Sequence, residues 1–583
     1  MQRIVTLLIL VALMGEFLSA QINLRLTSPE ADAALKGLHD PAVYHNGLTK
    51  ADPQQVTADL QTGVSEDSLR VLLEEMVAFD NRNTGADTVS TTRGIGAARR
   101  WVYRYFQRLG QESGGRLIPS YFDFNRNICG QSFHRNIMAV LPGRDTTLKQ
   151  VIFIEGHIDS RCEGVCDVNC LAEGAEDNAS GTALVMELAR CMKDYSFDQT
   201  LVFMVTIGEE QGLFGADAVA DYCEQEGIQV KAVLNNDVIG GIICGESSSP
   251  PSCPGFNLID STRVRLFSDG GFNSPNKQLC RYIKLQYEEM LQPLTNVPME
   301  LALMSAEDRT GRGGDHIPFR QRGYPAMRFT SAHEHGDAGV SRPGYADRQH
   351  SVRDGLGVDT NSDGILDSLF VNLNYLARNA RINGTAAAML ALGPEPPVDF
   401  AVQPAGQGRI SVGIADPDRT LRYRIAVRTD ALDWDTVFTL TGNFAGTFDV
   451  KPAAQYLISV ARFDTTGVES LFSEERRFEV STGLLRPNAP KELPPIRLMP
   501  NRPNPFDDAT LLGVWADKVP DHQQAWIQVA TAKGEPIAKL GLQLAPGANE
   551  VLYTHGYGME GIYLYSLVMD GKMVETRKMV FAN

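Results

Sequence analysis

A chain of 583 residues is too long for one ordinary domain and calls for three or four. Its net charge of −17 disfavours nucleic acid and anionic membrane as partners, because phosphate binding needs a basic footprint. A hydrophobic content of 43% supports sizeable cores, and 21% charged residues is ordinary for a soluble protein.

Residues 1–20 read as a secretory signal peptide: Arg3 gives the positive start, Ile4 to Met14 the apolar run, and Phe17-Leu18-Ser19-Ala20 the small-residue end. The competing reading is an N-terminal membrane anchor, for which the run is short. No later stretch is long enough to cross a bilayer. Residues 21–64 are polar with little periodicity, and are expected to form a pro-segment or a loosely packed arm. Ser65 then caps a helix with Leu69, Leu72, Leu73 and Met76 on one stripe. A second helix is expected over roughly 94–109. Strand-like runs follow at 121–124, 136–141 and 151–154, then a helix at 182–193 and a strand at 201–206. After these come a helix near 214–225, a strand at 232–235, a helix near 276–291, a strand near 326–329 and a last helix around 369–391. This alternation predicts an α/β domain over 65–392: a doubly wound, mostly parallel sheet with helices on both faces. Gly393-Pro394-Glu395-Pro396-Pro397 reads as a linker, followed by a small all-β sandwich over 398–480. A second linker at 486–495 leads to another all-β sandwich at 497–583.

Nine cysteines, all between Cys129 and Cys280, fit an exported protein whose disulfides lie in one domain. The odd count leaves one thiol free or paired elsewhere. Cys244 and Cys253 flank a Ser/Pro-rich loop and are expected to bridge. Cys162, Cys166 and Cys170 offer either a zinc knot or, as export favours, staples for their loop.

Chemistry gathers at the ends of the central strands, where open α/β sheets place their sites. Strand 151–154 delivers His157 and Asp159, and the following loop delivers Asp177. The next strand ends at Glu209-Glu210, and the one after at Asp237. Carboxylates converging on one sheet edge repel unless a cation holds them, and these N and O donors suit zinc and related divalent ions. Adjacent Glu209 and Glu210 point different ways, so one can ligate while the other serves as a general base.

The motifs GHIDS (156–160), EDNASG (176–181), GEEQGLFG (208–215) and NNDVIGG (235–241) together resemble the M28 family of zinc aminopeptidases. Residues 78–85 and GGDHIPFRQRGYPAMRF (313–329) extend the resemblance to roughly 65–392. It implies a zinc exopeptidase-like fold and two zinc ions. Asp177 would bridge them, His157 and Asp237 would complete one site, and Glu210 with a second histidine the other. Glu209 would be the base acting on metal-activated water, and Asp159 would orient His157. The late pattern His-Ser-x-x-Asp at 350–354 selects His350 as the second histidine, with His333 and His335 as alternatives. His316 would lie beside the site without ligating, and Asp315 would hydrogen-bond substrate. The implied activity is removal of N-terminal residues from peptides. A carboxypeptidase or a glutaminyl cyclase on the same scaffold, and a zinc-free binding module, are the alternatives.

Asp359, Asn361, Asp363 and Asp367 follow the spacing D-x-N-x-D-G-x-x-D, which resembles a calcium loop. Phe370 stands where such loops carry Glu, and the alternative is a polar surface turn. Residues 398–480 resemble a fibronectin type III domain. Residues 497–583 resemble the C-terminal sorting domain of type IX secretion cargo, through PNRPNPF (500–506), Gly547-Ala548-Asn549, GIYLY (561–565) and Arg577-Lys578-Met579-Val580. The resemblance implies type IX secretion machinery as a partner and export through the periplasm to the cell surface or beyond, with no transmembrane segment after signal cleavage.

Overall fold

The structure is a computed structural model and describes residues 23–245, 255–308, 313–333, 348–405, 408–416, 422–429, 431–450, 455–479, 496–506, 508–518, 525–532, 534–556 and 560–582. The expected signal peptide (1–20), Cys253, His335 and the second linker (486–495) lie outside them. Among the described residues no helix is long and apolar enough to cross a membrane. The chain divides into two compact units, Met1–Leu485 and Arg486–Asn583.

The first unit is built on a nine-stranded sheet. Its strands are β1 (Arg25–Leu26), β2 (Ile118–Ile128), β3 (Gln131–Leu141), β4 (Gln150–His157), β5 (Thr200–Thr206), β6 (Gln229–Asn236), β7 (Arg263–Phe267), β8 (Glu300–Leu303) and β9 (Ala326–Ser331), in the order β1-β2-β3-β5-β4-β6-β9-β7-β8. The expectation of a mostly parallel sheet is corrected. The centre, β5-β4-β6-β9, is parallel, as is β7-β8, but β1-β2, β2-β3, β3-β5 and β7-β9 are antiparallel. The reason is local. Strands β2 and β3 run on past the apolar stretches and meet at a two-residue turn, Cys129-Gly130, with φ of 48° and 84°. Positive φ at both turn residues is the hairpin geometry that matches strand twist, and so short a connection forces antiparallel pairing.

Helices cover the sheet because its central strands are apolar on both faces: every residue of β5 is buried, and all of β4 beyond Gln150. The helices are α1 (Pro29–Leu35), α2 (Pro41–His45), α3 (Pro53–Gly63), α4 (Glu66–Val77), α5 (Gly94–Glu112), α6 (Ser180–Met192), α7 (Phe214–Gln225), α8 (Pro275–Gln286), α9 (His316–Gln321) and α10 (Leu373–Leu392). The loosely packed arm expected over 21–64 is also corrected. Strand β1 extends the sheet, and Ala31, Ala34, Leu35, Val56 and Leu60 are buried in the main core. Each of α1, α2 and α3 has a capping Ser or Asp followed by Pro at the first turn, so local signals were present in a segment too short and polar to show periodicity.

The same unit carries a three-on-four β-sandwich, with β12 (Asp399–Pro404), β13 (Arg409–Ala415) and β16 (Ala445–Asp449) facing β15 (Thr436–Thr441), β14 (Arg422–Arg428), β17 (Gln455–Arg462) and β18 (Arg476–Glu479); a two-residue ladder, β10 (Gly357–Val358) with β11 (Ser368–Leu369), precedes it. The sandwich is not a bead on a linker. Its Glu475 pairs with Arg428 and, across the domain boundary, with Arg281 of α8, and all three are buried. Ala426, Ala461, Val468 and Phe472 enter the main core. The second unit has the same three-on-four layout, with β19 (Ile496–Leu498), β20 (Ala509–Ala516) and β23 (Gly547–Thr554) against β22 (Pro536–Leu542), β21 (Ala525–Thr531), β24 (Gly561–Met569) and β25 (Lys572–Phe581). Leu512, Val514, Ile527, Tyr565 and Leu567 lie in its core.

Two disulfides have both partners among the described residues, Cys129–Cys166 and Cys162–Cys170, so the three loop cysteines are staples and not a zinc knot. The hairpin tip at Cys129 is thereby tied to the loop that follows β4. Cys244 is disulfide-bonded. The expectation of a single leftover thiol is corrected: Cys191, Cys223 and Cys280 are unpaired, the last two buried as small apolar side chains.

Candidate metal centre

Strand β4, the start of α6 and the end of β6 meet more closely than side chains would allow. A Cβ on Gly156 would lie 2.8 Å from the Gly181 backbone, and one on Gly181 would lie 2.1 Å from the Asn236 carbonyl. The glycines of GHIDS and EDNASG therefore bring His157, Asp177 and Asp237 to one point.

At that point the donors form two groups: His157, Glu209 and Asp237, and Asp177, Glu210 and His350. His157 Nε2 lies 3.2 Å from Asp177 Oδ1, 3.4 Å from Asp237 Oδ1 and 3.9 Å from Glu209 Oε2. His350 Nε2 lies 2.9 Å from Asp177 Oδ2 and 3.1 Å from Glu210 Oε2. Asp177 thus turns one oxygen to each histidine. Every side chain in the set is almost fully buried except Glu209, which is 12% exposed. Imidazole and carboxylate donors in two compact groups that share one carboxylate fit a pair of divalent cations of the zinc type. A third group, Cys162, Asp167 and Cys170, does not fit, because both sulfurs are committed to a disulfide.

The electrostatics follow from burying so many acids together. Burial alone would lower the pKa of His157, but Glu209 and Asp237 outweigh it and raise it well above the usual imidazole range. Burial would raise Asp177, yet hydrogen bonds to His157 and His350 hold it well below the carboxylate range. Asp237 is also held down, against burial, by Arg328 and His157; Arg328 Nη2 is 3.0 Å from its Oδ2. Burial pushes Glu209 well above the usual range, with Asp237 and Glu210 adding to the rise and His157 opposing it.

Several residues that hold this geometry were assigned no role from the sequence, although Asp354, Arg82 and Glu176 stand within the motif stretches. Asp354 takes three successive amides of the Asp177 loop: its carbonyl accepts from Ala175 N, and its carboxylate oxygens from Glu176 N and Asp177 N, each at 3.0 Å. Arg82 is wholly buried and donates to the carbonyls of Ile158 (2.8 Å) and Gly174 (3.0 Å), clamping both arms of the loop that carries Asp159 and Asp177. Glu176 accepts from Gly240 N and Gly241 N and so fixes the chain after Asp237. Arg161 donates from Nε to Glu210 Oε2 at 2.7 Å and from Nη2 to His350 Nδ1 at 2.6 Å. These are loop residues meeting across long sequence separations, and a linear pattern does not register them.

Two residues with expected roles have further partners. Asp159 was to orient His157 through its carboxylate, but His157 Nδ1 is nearer the Asp159 main-chain carbonyl (3.0 Å) than its carboxylate (3.5 Å). The carboxylate also accepts from Glu209 N at 3.4 Å, Glu210 N at 3.2 Å and Thr84 Oγ1 at 3.2 Å, so it sets the turn that presents both glutamates. Asp315, expected to meet substrate, is 1% exposed and accepts from Thr206 Oγ1 at the end of β5; burial pushes its carboxyl up to about 7. His316 bonds the Glu307 carbonyl, and His333 belongs to neither donor group. In the loop between β10 and β11, Asp359, Asn361, Asp363 and Asp367 accept hydrogen bonds from the loop's own backbone. Among the described residues they form no metal-type group.

The model of Peptidase family M28 matches residues 136–246, which include five of the six donors, all but His350. A protein described as a probable zinc metalloprotease, from Pyricularia oryzae, is 34% identical over 357 residues, which cover 58% of this chain and 67% of that one. Another of the same description, from Leptosphaeria maculans, is 27% identical, covering 68% of this chain and 88% of that one. Among solved structures, the LapA aminopeptidase of Legionella pneumophila aligns at 19% identity with a TM-score of 0.41, covering 58% of this chain and 73% of that one.

Proposed function

The chain belongs to peptidase family M28, and from that premise we propose that it is a secreted two-zinc exopeptidase that removes N-terminal residues from peptides. Hydrolysis of peptides by a zinc metallopeptidase is the family's chemistry; the two-ion centre, the aminopeptidase mode and export are the finer reading. The observation that carries it is Asp177, which offers one oxygen to the His157 group and the other to the His350 group. In this reading His157 and Asp237 serve one ion, Glu210 and His350 the other, and Asp177 both. Zinc bound there supplies Lewis-acid polarisation of the scissile carbonyl and a water of lowered pKa.

The remaining work falls to protein groups. Glu209 is the most exposed member of the set and carries a carboxyl whose proton affinity burial has raised. It takes the proton of the attacking water and passes it to the leaving amine. Asp159 holds the Glu209 and Glu210 amides, which keeps the base and its ligand neighbour pointing apart. The deep burial of the donors suits a chain end better than the middle of a long polypeptide. The surplus of carboxylates over arginines favours the amino end. The C-terminal unit is read as the address for type IX export, with release outside the outer membrane, and the 398–480 sandwich as fibronectin type III-like.

The test is hydrolysis of matched peptides with free and N-acetylated amino ends, with and without chelator. Cleavage of the free form alone, lost with chelator, is expected. Cleavage of the acetylated form would point to a carboxypeptidase, and pyroglutamate from an N-terminal Gln peptide to a cyclase. Glu209→Gln should retain two metal equivalents while kcat falls by roughly 100- to 10,000-fold. Normal turnover in that variant would remove Glu209 as the base. Deleting residues 497–583 should strand the protein in the periplasm.

A further inference from the structure

Arg161 is fixed on both sides. Ser160 before it donates to the Ala172 carbonyl at 2.6 Å, and Cys162 after it is disulfide-bonded to Cys170. Its side chain, 15% exposed, reaches the rim of the donor set with Nε on Glu210 and Nη2 on His350 Nδ1. Among the described residues Nη1 has no hydrogen-bond partner.

The contact with His350 carries a chemical consequence. A guanidinium only donates, so it makes Nδ1 the acceptor. A neutral imidazole has a single acceptor nitrogen. Ligation through Nε2, the atom facing Asp177 and Glu210, needs the lone pair there and the proton on Nδ1. The Nδ1 contact and ligation through Nε2 therefore exclude each other. If His350 ligates through Nε2, Nη2 would be free to serve another acceptor, while the Nε contact with Glu210 makes no such conflict. Arg161 thus contacts two donors of one group, Glu210 and His350, from a side chain that still reaches solvent. A planar fork with two terminal nitrogens to offer matches a carboxylate better than a single carbonyl.

We propose that Arg161 is a substrate-binding residue that takes the α-carboxylate of the residue on the leaving side of the scissile bond, so that dipeptides and other substrates with a free carboxylate at that position are preferred. This rests on the two-metal peptidase reading.

The experiment compares kcat/KM for a dipeptide with a free C-terminus and for the same dipeptide as its C-terminal amide, in wild type, Arg161→Met and Arg161→Lys. Wild type should favour the free acid roughly 10- to 100-fold, mainly through KM, as one charge-assisted hydrogen-bonded pair allows. The preference should fall to near unity in Arg161→Met and stay intermediate in Arg161→Lys, which keeps the charge and loses the fork. Because the ratio is read within each variant, a general loss of activity cancels. Calorimetric binding of leucine against leucinamide to the zinc-loaded protein gives a second reading without turnover: the acid should bind more tightly, and Arg161→Met should erase the difference. No preference in wild type, or an equal fall on acid and amide, overturns the proposal. So does loss of zinc from Arg161→Met in chelator competition with the acid preference retained, which would make Arg161 only a positioning residue for Glu210 and His350. Absence of peptide hydrolysis together with discrimination in the calorimeter would instead count against the peptidase reading and leave Arg161 as a carboxylate-binding group.

Discussion

Replacing Asp354 by Asn isolates orientation from stability. Its carboxylate accepts two amides at 3.0 Å in a site with almost no solvent. Asn keeps one oxygen and turns an NH2 group toward the other amide. One buried N–H is left unmet, at about 1–3 kcal/mol. Against this stands the cost of holding a buried charge. Burial pushes Asp354 from 3.8 to about 7, which corresponds to about 4 kcal/mol that the neutral amide no longer bears. The relief offsets the loss, so the metal-free fold should lose little or no stability in urea unfolding. Orientation does not cancel: the Asp177 loop loses the anchor that aims one oxygen at each histidine. Metal affinity, measured by chelator competition, should fall about 10- to 100-fold, as is usual when a group supporting a ligand is changed. Two equivalents bound at wild-type affinity would refute the assignment. A large loss of stability with normal affinity would recast Asp354 as purely structural.

Three further outcomes are expected. Glu475→Ala leaves Arg281 and Arg428 buried without their shared carboxylate, and should cost about 3–5 kcal/mol in chemical unfolding; a change below about 1 kcal/mol would mean that the sandwich is not held by this cluster. Replacing both members of Cys129–Cys166 by Ser opens a span of 37 residues, and the same change at Cys162–Cys170 a span of 8. Chain entropy assigns about 4 and 2.5 kcal/mol respectively, so the first pair should cost more, and the reverse order would show that strain or local packing decides. Lys231 is buried against the Gly393 carbonyl, and burial lowers it from 10.5 to about 8. Between those values the unfolded chain binds the proton that the folded one has released, so stability rises with pH from about 8 to 10.5, by about 3 kcal/mol at most. Relative to wild type, Lys231→Met should lack this rise, and parallel pH profiles of the two proteins would exclude the depressed ammonium.

The sequence by itself determined the chemistry at the ends of β4, β5 and β6. A buried strand announces itself by its apolar run, and a polar residue directly after such a run has to stand at the sheet's edge. His157, Asp159, Asp177, Glu209, Glu210 and Asp237 could be named because each is placed by its own strand or helix start. The capped helix at Glu66–Val77 was legible for the same reason, since cap and stripe are both local. Only the tertiary structure decided what is set across distance. The antiparallel flank depends on a hairpin turn at Cys129-Gly130 whose signal is two residues long. The packing of residues 23–63 depends on a core supplied by other segments. The amide clamp by Asp354, the carbonyl clamp by Arg82 and the contact of Arg161 with His350 join residues 76 to 189 positions apart. Hydrogen bonds of that kind leave no period in the chain. They exist only because a folded core holds backbone amides and carbonyls where water cannot reach them, and a buried charge or fork must then take water's place.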